Sequence, residues 1–483
     1  MKKSRIISLI LCITLFFQVA STQINATQQS NQGQSTANTS TDDSSVSSGC
    51  RGINGQSPLW GSGKLLETSA SVILYETNSD TLMYAWNPDE QMVPASLVKI
   101  MTALIAVEKG NIEDTISVTE GSLSVISDKN RTIDLKPGEN VTLEQMLYCL
   151  LVGSANDAAV VIAAHIAGSE QNFVTMMNER AREIGCTGTM FVNSHGLTAE
   201  NQYTTARDIA KILKVAMKNE LFMEFFSATL YNMPATNLSE KRRVETTNYI
   251  MTPGTPAYYD KRVTGGRTGI TDDRNRVLAV TAESGELSYI GVILGAVPTY
   301  ASNGYSVVRF GSYEEMNELL DVGFEDHKIV QVLNENQVLR QYPVSNGENN
   351  LAAGPAVSVE TVLPSDIRMD DLTVRYLQGN DVLSAPIKIG EQVTTVQLWY
   401  KDVCIAQVPL VARNTVNVFI PQDEQEQSLN ANGGGIGTAL IVIGIILGFV
   451  LALISVVYLV QLFRNAVARA QHRRRRRNRR RSR

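Results

Sequence analysis

The chain has few residues of the kinds that hold metal ions. Its 483 residues include 4 histidines and 5 cysteines, and no two cysteines have the C-x-x-C spacing of a structural zinc site. Cys149 lies in an apolar segment, which favours a buried thiol, whereas the pairing of Cys50, Cys186 and Cys404 stays open. We therefore expect neither a metal centre nor an organic cofactor.

Charge is also missing from two stretches near the ends of the chain. Residues 6–17 are almost wholly apolar and follow a basic start, which is typical of an export signal. Residues 436–463 contain no charged residue and are long enough to cross a hydrocarbon core as a helix. We predict a signal peptide over residues 1–26 and a transmembrane helix over residues 436–463.

The segment after the predicted span, residues 464–483, is dominated by arginine. Basic residues beside a span stay on the cytoplasmic side, so the sequence predicts a single-pass cell-membrane protein with its body on the extracytoplasmic side. An arginine-rich tail can also bind nucleic acid, but its position directly after a span favours orientation and contact with anionic lipids. We expect no nucleic-acid partner.

Changes in composition divide the rest of the chain into four parts. Residues 27–62 are rich in Ser, Thr, Gln and Asn and predict a disordered linker. Residues 63–312 mix helical and strand patterns and predict an α/β (α+β) domain. Residues 323–413 show short strand patterns between turn residues and predict a small all-β domain. Residues 414–435 predict a flexible stalk.

Hydrophobic periodicity predicts individual elements within both domains. In the first domain, the predicted strands are residues 70–75, 81–86, 277–282 and 289–294, and the predicted helices are residues 97–109, 143–152, 157–167, 171–184 and 205–219. In the second domain, the predicted strands are residues 328–333, 356–361, 372–376, 394–400 and 404–411.

Ser96 and Lys99 stand three positions apart at the start of the predicted helix over residues 97–109. This spacing places the hydroxyl and the amine on one face of a helix. The helix N-terminus stabilises charge on the serine oxygen, and burial favours a neutral amine that can accept the proton. A capping serine beside a solvated lysine is the alternative, since this spacing is common by chance.

Two further segments follow in the order expected of an acyl-serine enzyme. Ser154 and Asn156 lie between two predicted helices, where a hydroxyl could relay a proton and an amide could hold a substrate carbonyl; helix capping is the alternative. Arg267 and Thr268 follow two glycines in a strand whose backbone could approach a ligand closely. A simple hairpin edge is the alternative there.

With these three motifs, the sequence resembles the penicillin-recognising acyl-serine enzymes, specifically the low-molecular-mass D-alanyl-D-alanine carboxypeptidases of serine peptidase family S11. The resemblance runs from about residue 68 to residue 311 and includes residues 94–103 (PASLVKIMTA), 154–158 (SANDA), 193–197 (NSHGL) and 203–208 (YTTARD). Residues 385–390 and 405–411 resemble the family's C-terminal domain. The implied fold is a penicillin-binding or β-lactamase-like transpeptidase domain followed by a small all-β domain.

The resemblance also implies roles for individual residues. Ser96 would attack the carbonyl of the penultimate D-alanine, Lys99 would accept its proton, and Ser154 would relay that proton onward. Water would then release the acyl group.

The substrate would be held by a second group of residues, again as the resemblance implies. Asn156 would orient the substrate amide, and Arg267 would meet the terminal carboxylate beside Thr268. The backbone N–H groups of Ser96 and Ile270 would form the oxyanion hole.

The implied activity is removal of the terminal D-alanine from peptidoglycan stem pentapeptides, with β-lactam antibiotics as covalent inhibitors. Endopeptidase or weak transpeptidase action would use the same acyl-enzyme. A catalytically weakened peptidoglycan-binding or regulatory module is the alternative from another class, and a β-lactamase is a more distant one.

Two departures from the family pattern bear on this reading. Arg267 stands where most members have lysine; it keeps the charge, but an arginine cannot give up its proton. Residues 272–276, Asp-Asp-Arg-Asn-Arg, stand where small residues are usual. We expect slower turnover from the first departure and altered specificity from the second. His195 is interpreted as part of a structural loop.

Overall fold

The computed structural model describes residues 53, 58–60, 66–126, 131–377, 382–421, 440–465 and 469. The predicted signal peptide lies outside these residues, as do most of the predicted linker, the predicted stalk and the arginine-rich tail.

The first domain combines a central antiparallel sheet with helices. Its strands are β1 (Ser71–Glu76), β2 (Thr81–Trp86), β3 (Thr115–Ser117), β4 (Asn140–Thr142), β5 (Leu230–Met233), β6 (Arg242–Glu245), β7 (Val263–Ile270), β8 (Arg276–Ser284), β9 (Leu287–Ala296), β10 (Thr299–Tyr300) and β11 (Val307–Arg309). Its helices are α1 (Val98–Lys109), α2 (Glu120–Leu123), α3 (Leu143–Leu151), α4 (Asn156–Ala167), α5 (Glu170–Ile184), α6 (Ala206–Ala216), α7 (Glu220–Ser227) and α8 (Gly311–Glu325).

Five strands of this domain form one sheet in the order β2-β1-β9-β8-β7, with every neighbouring pair antiparallel. Successive side chains of a strand point to opposite faces. Alternate residues of β9 accordingly belong to two hydrophobic clusters, one shared with α6 and the other with α8. The sheet is therefore covered on both faces, and β7 lies at its edge.

Helix α1 lies in the centre of the helical layer, where it contacts α3, α4, α5 and α6. Its residues from Val98 to Ala106 are all buried, as expected of a helix that is apolar on every side. The predicted helix over residues 97–109 is thus confirmed from Val98 onward. Residues Ala95–Leu97 form a 3-10 turn directly before it, and this turn places Ser96 beside the core.

The other predicted helices occur with small changes at their ends. A capping box between Thr142 and Gln145 begins α3. The side chain of Thr205 accepts a hydrogen bond from the Asp208 backbone and begins α6. The prediction over residues 205–219 was too long, because α6 ends at Ala216.

The second domain is built from short strands, as predicted. They are β12 (His327–Leu333), β13 (Arg340–Tyr342), β14 (Val344–Ser345), β15 (Leu351–Pro355), β16 (Val359–Pro364), β17 (Leu372–Leu377), β18 (Leu383–Ser384), β19 (Gln392–Tyr400) and β20 (Val403–Ala412). Five of them form a sheet in the order β13-β15-β20-β19-β17.

The strand predicted over residues 356–361 was misplaced. Its first residues follow β15, which pairs with β20, and β16 begins only at Val359. β16 pairs with β12 in a separate two-stranded sheet. The prediction thus began three residues before β16 and ended three residues before the end of β16.

The end of the predicted linker contradicts the expectation of disorder. Ile53 and Leu59 are buried, and the backbone N–H groups of Leu59 and Trp60 each donate a 3.0 Å hydrogen bond to carbonyls of β2. The Trp60 indole also donates to His327 at 2.6 Å. The surrounding sequence is polar, but these few apolar side chains are buried against the domain. Residues 59–60 therefore belong to the folded body.

One helix among the described residues is long and apolar enough to cross a membrane. This helix, α9 (Leu440–Asn465), has 26 residues, most of them apolar. The predicted span began at residue 436, and residues 436–439 lie outside the described part of the chain. By length and composition, α9 could anchor the protein in a membrane.

The buried thiol predicted at Cys149 is confirmed. Cys149 and Cys186 are both buried and free, and burial raises the pKa of each thiol to about 12. Cys404 is disulfide-bonded.

Candidate active site

Ser96 lies in the 3-10 turn before α1, at the wall of a cavity of about 370 Å³. The preceding residue, Ala95, has a φ of 45°, which is uncommon for a residue with a Cβ. Two glycines from other segments pack against this turn: a Cβ on Gly269 would lie 2.8 Å from the Ser96 nitrogen, and one on Gly196 would overlap Ala95. The turn that presents Ser96 therefore needs glycine at both positions.

Lys99 follows Ser96 by three residues, about one helical turn, and is fully buried. Its Nζ is 3.4 Å from Ser96 Oγ and 2.8 Å from Asn156 Oδ1, and it also donates to the His195 carbonyl. Burial, followed by the positive charges of Arg267 and Arg131, holds the pKa of Lys99 well below its usual value. A neutral amine next to a serine hydroxyl can accept its proton.

Ser154 lies in the loop between α3 and α4, where its φ of 61° turns the chain back toward Ser96. The Ser154 hydroxyl donates to Ser96 Oγ at 3.1 Å. Asn156 is the first residue of α4, and its backbone N–H donates to the Arg131 carbonyl at 2.8 Å. The structure thus brings together four residues predicted from two motifs 58 positions apart.

Five of the predicted site residues line the cavity, and a sixth lies directly behind its wall. Ser96, Ser154, Asn156, Thr268 and Ile270 line it, whereas Lys99 lies behind Ser96. The wall is completed by Arg131, His195, Gly196, Leu197, Thr198, Thr247, Tyr249, Gly269, Asp272, Arg276, Phe310 and Tyr313.

Strand β7 forms one side of the cavity. Thr268 donates from its hydroxyl to the Val277 carbonyl at 3.1 Å, and Ile270 is 46% exposed at the cavity mouth. The glycine between them allows β7 to approach the turn that carries Ser96. The end of β7 is therefore placed where a substrate backbone could lie.

Arg267 is not among the residues that line the cavity. Side chains alternate along a strand, so Arg267 and Thr268 project from opposite faces of β7. The Arg267 guanidinium is 2% exposed and donates to the Leu151 carbonyl, while its Nε and Nη2 have no hydrogen-bond partner among the described residues. Burial, and then the charge of Arg131, lower its pKa to about 9, which leaves it charged at neutral pH.

The loop around His195 contributes more than its sequence context indicated. The His195 carbonyl accepts from Lys99, and its ring Nδ1 accepts from the Leu197 backbone at 3.1 Å. Burial, and then the charge of Lys99, lower the pKa of His195 to about 4. The neutral His195 ring thus stabilises the loop through Leu197, while the His195 carbonyl accepts the hydrogen bond from Lys99.

Several residues of the cavity were not singled out from the sequence. Arg131 carries no local signal, since it lies in a loop remote from every motif. Tyr249, Phe310 and Tyr313 form an aromatic cluster with Tyr258, with ring centres 5.4 to 6.4 Å apart. Nothing in the sequence around these aromatic residues indicated that they would meet at the cavity.

The arrangement is that of a nucleophile with its own base. A buried amine of lowered pKa and a second hydroxyl each lie within hydrogen-bond reach of the Ser96 hydroxyl, beside a polar cavity. Among the described residues, no cluster of three or more His, Cys, Asp or Glu side chains could hold a metal ion. Fold and site together are those expected of a serine acyl-enzyme of the penicillin-binding type.

Comparison with known families and proteins agrees with this class. A family model described as D-alanyl-D-alanine carboxypeptidase, peptidase S11, matches residues 64–298. A second model, described as the C-terminal domain of penicillin-binding protein 5, matches residues 324–418. The chain carries a D-alanyl-D-alanine carboxypeptidase domain of family S11, a family of serine hydrolases, followed by a penicillin-binding protein 5 C-terminal domain.

Individual relatives cover both domains. The chain is 29% identical over 360 residues to D-alanyl-D-alanine carboxypeptidase DacF of Bacillus subtilis, covering 72% of this chain and 86% of that protein. It is 28% identical to DacC of Escherichia coli, covering 71% and 83%. The crystal structure of penicillin binding protein 5 from Haemophilus influenzae matches with a TM-score of 0.58 and 25% identity over 74% of this chain and all of that one.

Proposed function

We propose that this chain is a serine-type D-alanyl-D-alanine carboxypeptidase that removes the terminal D-alanine from peptidoglycan stem pentapeptides. The observation that carries the proposal is the contact of Ser96 with both Lys99 and Ser154 at the wall of the cavity. Relatives that match both domains carry this activity in their names.

The reaction begins with acylation of Ser96. Neutral Lys99 takes the hydroxyl proton as Ser96 Oγ attacks the carbonyl carbon of the penultimate D-alanine. The negative oxygen that forms is stabilised by the backbone N–H groups of Ser96 and Ile270. Gly269 keeps these two backbone segments close, since a Cβ there would lie 2.8 Å from the Ser96 nitrogen.

Collapse of this intermediate breaks the peptide bond and forms an acyl-ester on Ser96. The proton held by Lys99 passes through Ser154, 3.1 Å from Ser96 Oγ, to the leaving amine of D-alanine. A water molecule then attacks the ester, Lys99 takes a proton from it, and Ser96 recovers its hydroxyl proton as the shortened stem peptide leaves.

Substrate orientation is assigned to groups that line the cavity. Asn156 lines the cavity, where its Oδ1 accepts a hydrogen bond from Lys99, and we assign its side-chain amide to orienting the substrate. Thr268 contacts the substrate from the end of β7. The predicted direct contact of Arg267 with the terminal carboxylate finds no support in its buried position, and we assign Arg267 to lowering the pKa of Lys99 instead.

The β-lactam antibiotics are cyclic amides that would acylate Ser96 by the same attack. The acyl-ester would then block the cavity, so we propose that penicillins inhibit the protein covalently.

The catalytic body would lie on the extracytoplasmic side of the cell membrane, held by α9, with the arginine-rich segment in the cytoplasm. Protease treatment of intact spheroplasts would remove the body and leave α9 protected.

Release of D-alanine from a synthetic stem pentapeptide tests the proposed activity. The full chain in detergent should release one D-alanine per peptide, and Ser96→Ala should release none while melting at the same temperature. Cleavage of cross-linked stem dimers instead of the pentapeptide would indicate an endopeptidase. Binding of peptidoglycan without release of D-alanine would favour the peptidoglycan-binding module, and rapid hydrolysis of penicillin would favour a β-lactamase.

A further inference from the structure

Arg276 lies at the wall of the cavity and has no part in the reaction described above. It is the first residue of β8 and pairs with Ile270 across the β7–β8 ladder. Directly opposed residues of an antiparallel pair project to the same face, and both of these residues line the cavity. Arg276 is therefore adjacent to the residue whose N–H is assigned to the oxyanion hole.

The Arg276 guanidinium has no counterion among the residues that the structure describes. Its Nε is buried and forms no hydrogen bond with the described part of the chain, whereas Arg242 and Arg262, which are also partly buried, each form an ion pair with a carboxylate. Burial lowers the pKa of Arg276. A partly desolvated cation without a counterion is costly, and an anionic ligand would offset that cost.

Aromatic side chains hold this guanidinium in place. Its central carbon lies 5.1 Å from the centre of the Phe310 ring, and Phe310 packs on Tyr249 and Tyr313 at 5.5 and 5.7 Å. All three aromatic residues line the cavity. A guanidinium stacked on an aromatic ring keeps its N–H edge free for a planar anion.

A neighbouring arginine supports the same wall. The Arg274 guanidinium carbon lies 4.2 Å from the centre of the Tyr300 ring, and Arg274 donates to the Gly304 carbonyl at 3.1 Å. It thereby ties the β7–β8 turn to the β10–β11 hairpin that precedes Phe310. The segment of residues 272–276 thus builds one side of the cavity.

The charges around the cavity favour an anion at Arg276. Arg131 also lines the cavity, and the buried Arg267 adds a positive charge behind β7. Asp272 supplies a carboxylate at the wall, but its side chain is exposed to solvent. The interior side of the cavity is therefore positive.

We infer that Arg276, rather than Arg267, binds the C-terminal carboxylate of the substrate. This inference rests on the proposed function, because the carboxylate of the terminal D-alanine lies only one residue beyond the carbonyl that Ser96 attacks. Two parallel N–H···O bonds from a guanidinium would fix both the position and the orientation of that residue. Thr268, on the same face as Ile270, lies beside the same end of the substrate.

Acylation by a penicillin and by its methyl ester tests this inference in the full chain. The two reagents differ only in the carboxylate, and the rate of adduct formation on Ser96 is measured for each by mass spectrometry. The native protein should prefer the acid by roughly 10- to 100-fold, as expected for charge-assisted hydrogen bonds. Arg276→Gln should lose most of this preference by slowing only the acid, and Arg276→Lys should keep part of it.

Two further variants make the comparison specific. Arg243→Gln removes an exposed arginine of β6 that pairs with Glu245, and it should keep the native preference. The unchanged rate with the ester shows that Arg276→Gln is folded. Full preference in Arg276→Gln would overturn the inference, and loss of preference in Arg267→Gln alone would assign the carboxylate to Arg267.

Failure of the proposed function would give a different result. A protein that is acylated with the acid preference but releases no D-alanine would contradict the carboxypeptidase and leave Arg276 supported. A protein that is acylated by neither reagent would overturn both.

Discussion

Gly196 packs so closely on Ala95 that a Cβ at Gly196 would lie 2.1 Å from the Ala95 carbonyl oxygen. Gly196 also has a φ of 85°, in the left-handed region. The preceding residue, His195, holds Lys99 through its carbonyl. One loop thus fixes both the turn that presents Ser96 and the position of the base.

Gly196→Ala should therefore slow acylation of Ser96 as well as lower stability. A displacement of about 1 Å at a nucleophile can cost roughly 100-fold in rate, and the positive φ adds a cost of about 1–2 kcal/mol to folding. The measurement is the rate of penicillin acylation, together with urea unfolding of the same samples.

Gly185 offers a matched control for this substitution. It has a φ of 87°, and a Cβ there would lie more than 4 Å from every neighbouring atom that the structure describes. Gly185→Ala should lose a similar 1–2 kcal/mol of stability from its backbone conformation but keep the native acylation rate. Equal rates in the two variants would show that the contact with Ala95 does not position Ser96.

Arg267→Gln should move the acid limb of the pH–rate profile to higher pH. Lys99 must be neutral to accept the Ser96 proton, and the charge of Arg267 is the largest electrostatic contribution, after burial, that lowers the pKa of Lys99. Removing that charge raises the pKa of Lys99, so a smaller fraction of the amine is neutral at a given pH. The acid limb of acylation measured between pH 5 and 9 checks this sign.

Arg267→Lys is the control that keeps a positive charge at this position. Its acid limb should stay closer to that of the native protein than the limb of the glutamine variant. An unshifted limb in Arg267→Gln would remove Arg267 from the control of Lys99.

Ser154→Ala should reduce both acylation and D-alanine release without unfolding the protein. In the proposed reaction, the Ser154 hydroxyl, 3.1 Å from Ser96 Oγ, passes the proton from Lys99 to the leaving amine, and loss of a general acid–base group costs roughly 100- to 10,000-fold. Ser227→Ala removes a serine hydroxyl that is exposed and donates to Glu224, and it should leave both rates unchanged. A Ser154→Ala variant with native rates would rule out the relay.

Glu139→Gln should destabilise the first domain by about 3 kcal/mol, because it leaves Arg242 without its charged partner. Glu139 is fully buried, 2.7 Å from Arg242. Burial acts to raise the pKa of Glu139, but hydrogen bonds from Arg242, Thr236 and the Lys136 backbone lower it overall.

The pH dependence of this contribution follows from the lowered pKa. Stability from Glu139 is fully present above the ordinary glutamate pKa and is lost as pH falls through the lower folded-state pKa. Glu245→Gln, in the exposed pair with Arg243, should change stability by less than about 1 kcal/mol. Urea unfolding at pH 7 and at pH 3 gives the free energy of unfolding of each protein. The loss of stability in Glu139→Gln relative to the native protein should be smaller at pH 3 than at pH 7.

The sequence predicted the parts of the site that depend on local spacing. Ser96 and Lys99 were placed by one helix pattern, and the loop position of Ser154 followed from the two helices around it. The apolar residues after Lys99 predicted that the amine would be buried, because a helix with apolar residues on all sides has no solvated face.

Contacts between distant segments could not be predicted in this way. The carbonyl of His195 is a main-chain group, and its contact with Lys99 depends on a loop 96 residues away. Arg267 was assigned to the substrate from its motif, but strand alternation directs it away from Thr268. Arg276 acquires its place only through pairing with Ile270 across the sheet.

Incubation of the full chain with a penicillin, followed by peptide mass spectrometry, shows which residue is the acylated nucleophile. We expect one adduct per chain, carried by the peptide that contains Ser96, and none in folded Ser96→Ala. An adduct on another residue, or an equal adduct in Ser96→Ala, would contradict the assignment of Ser96 as the nucleophile.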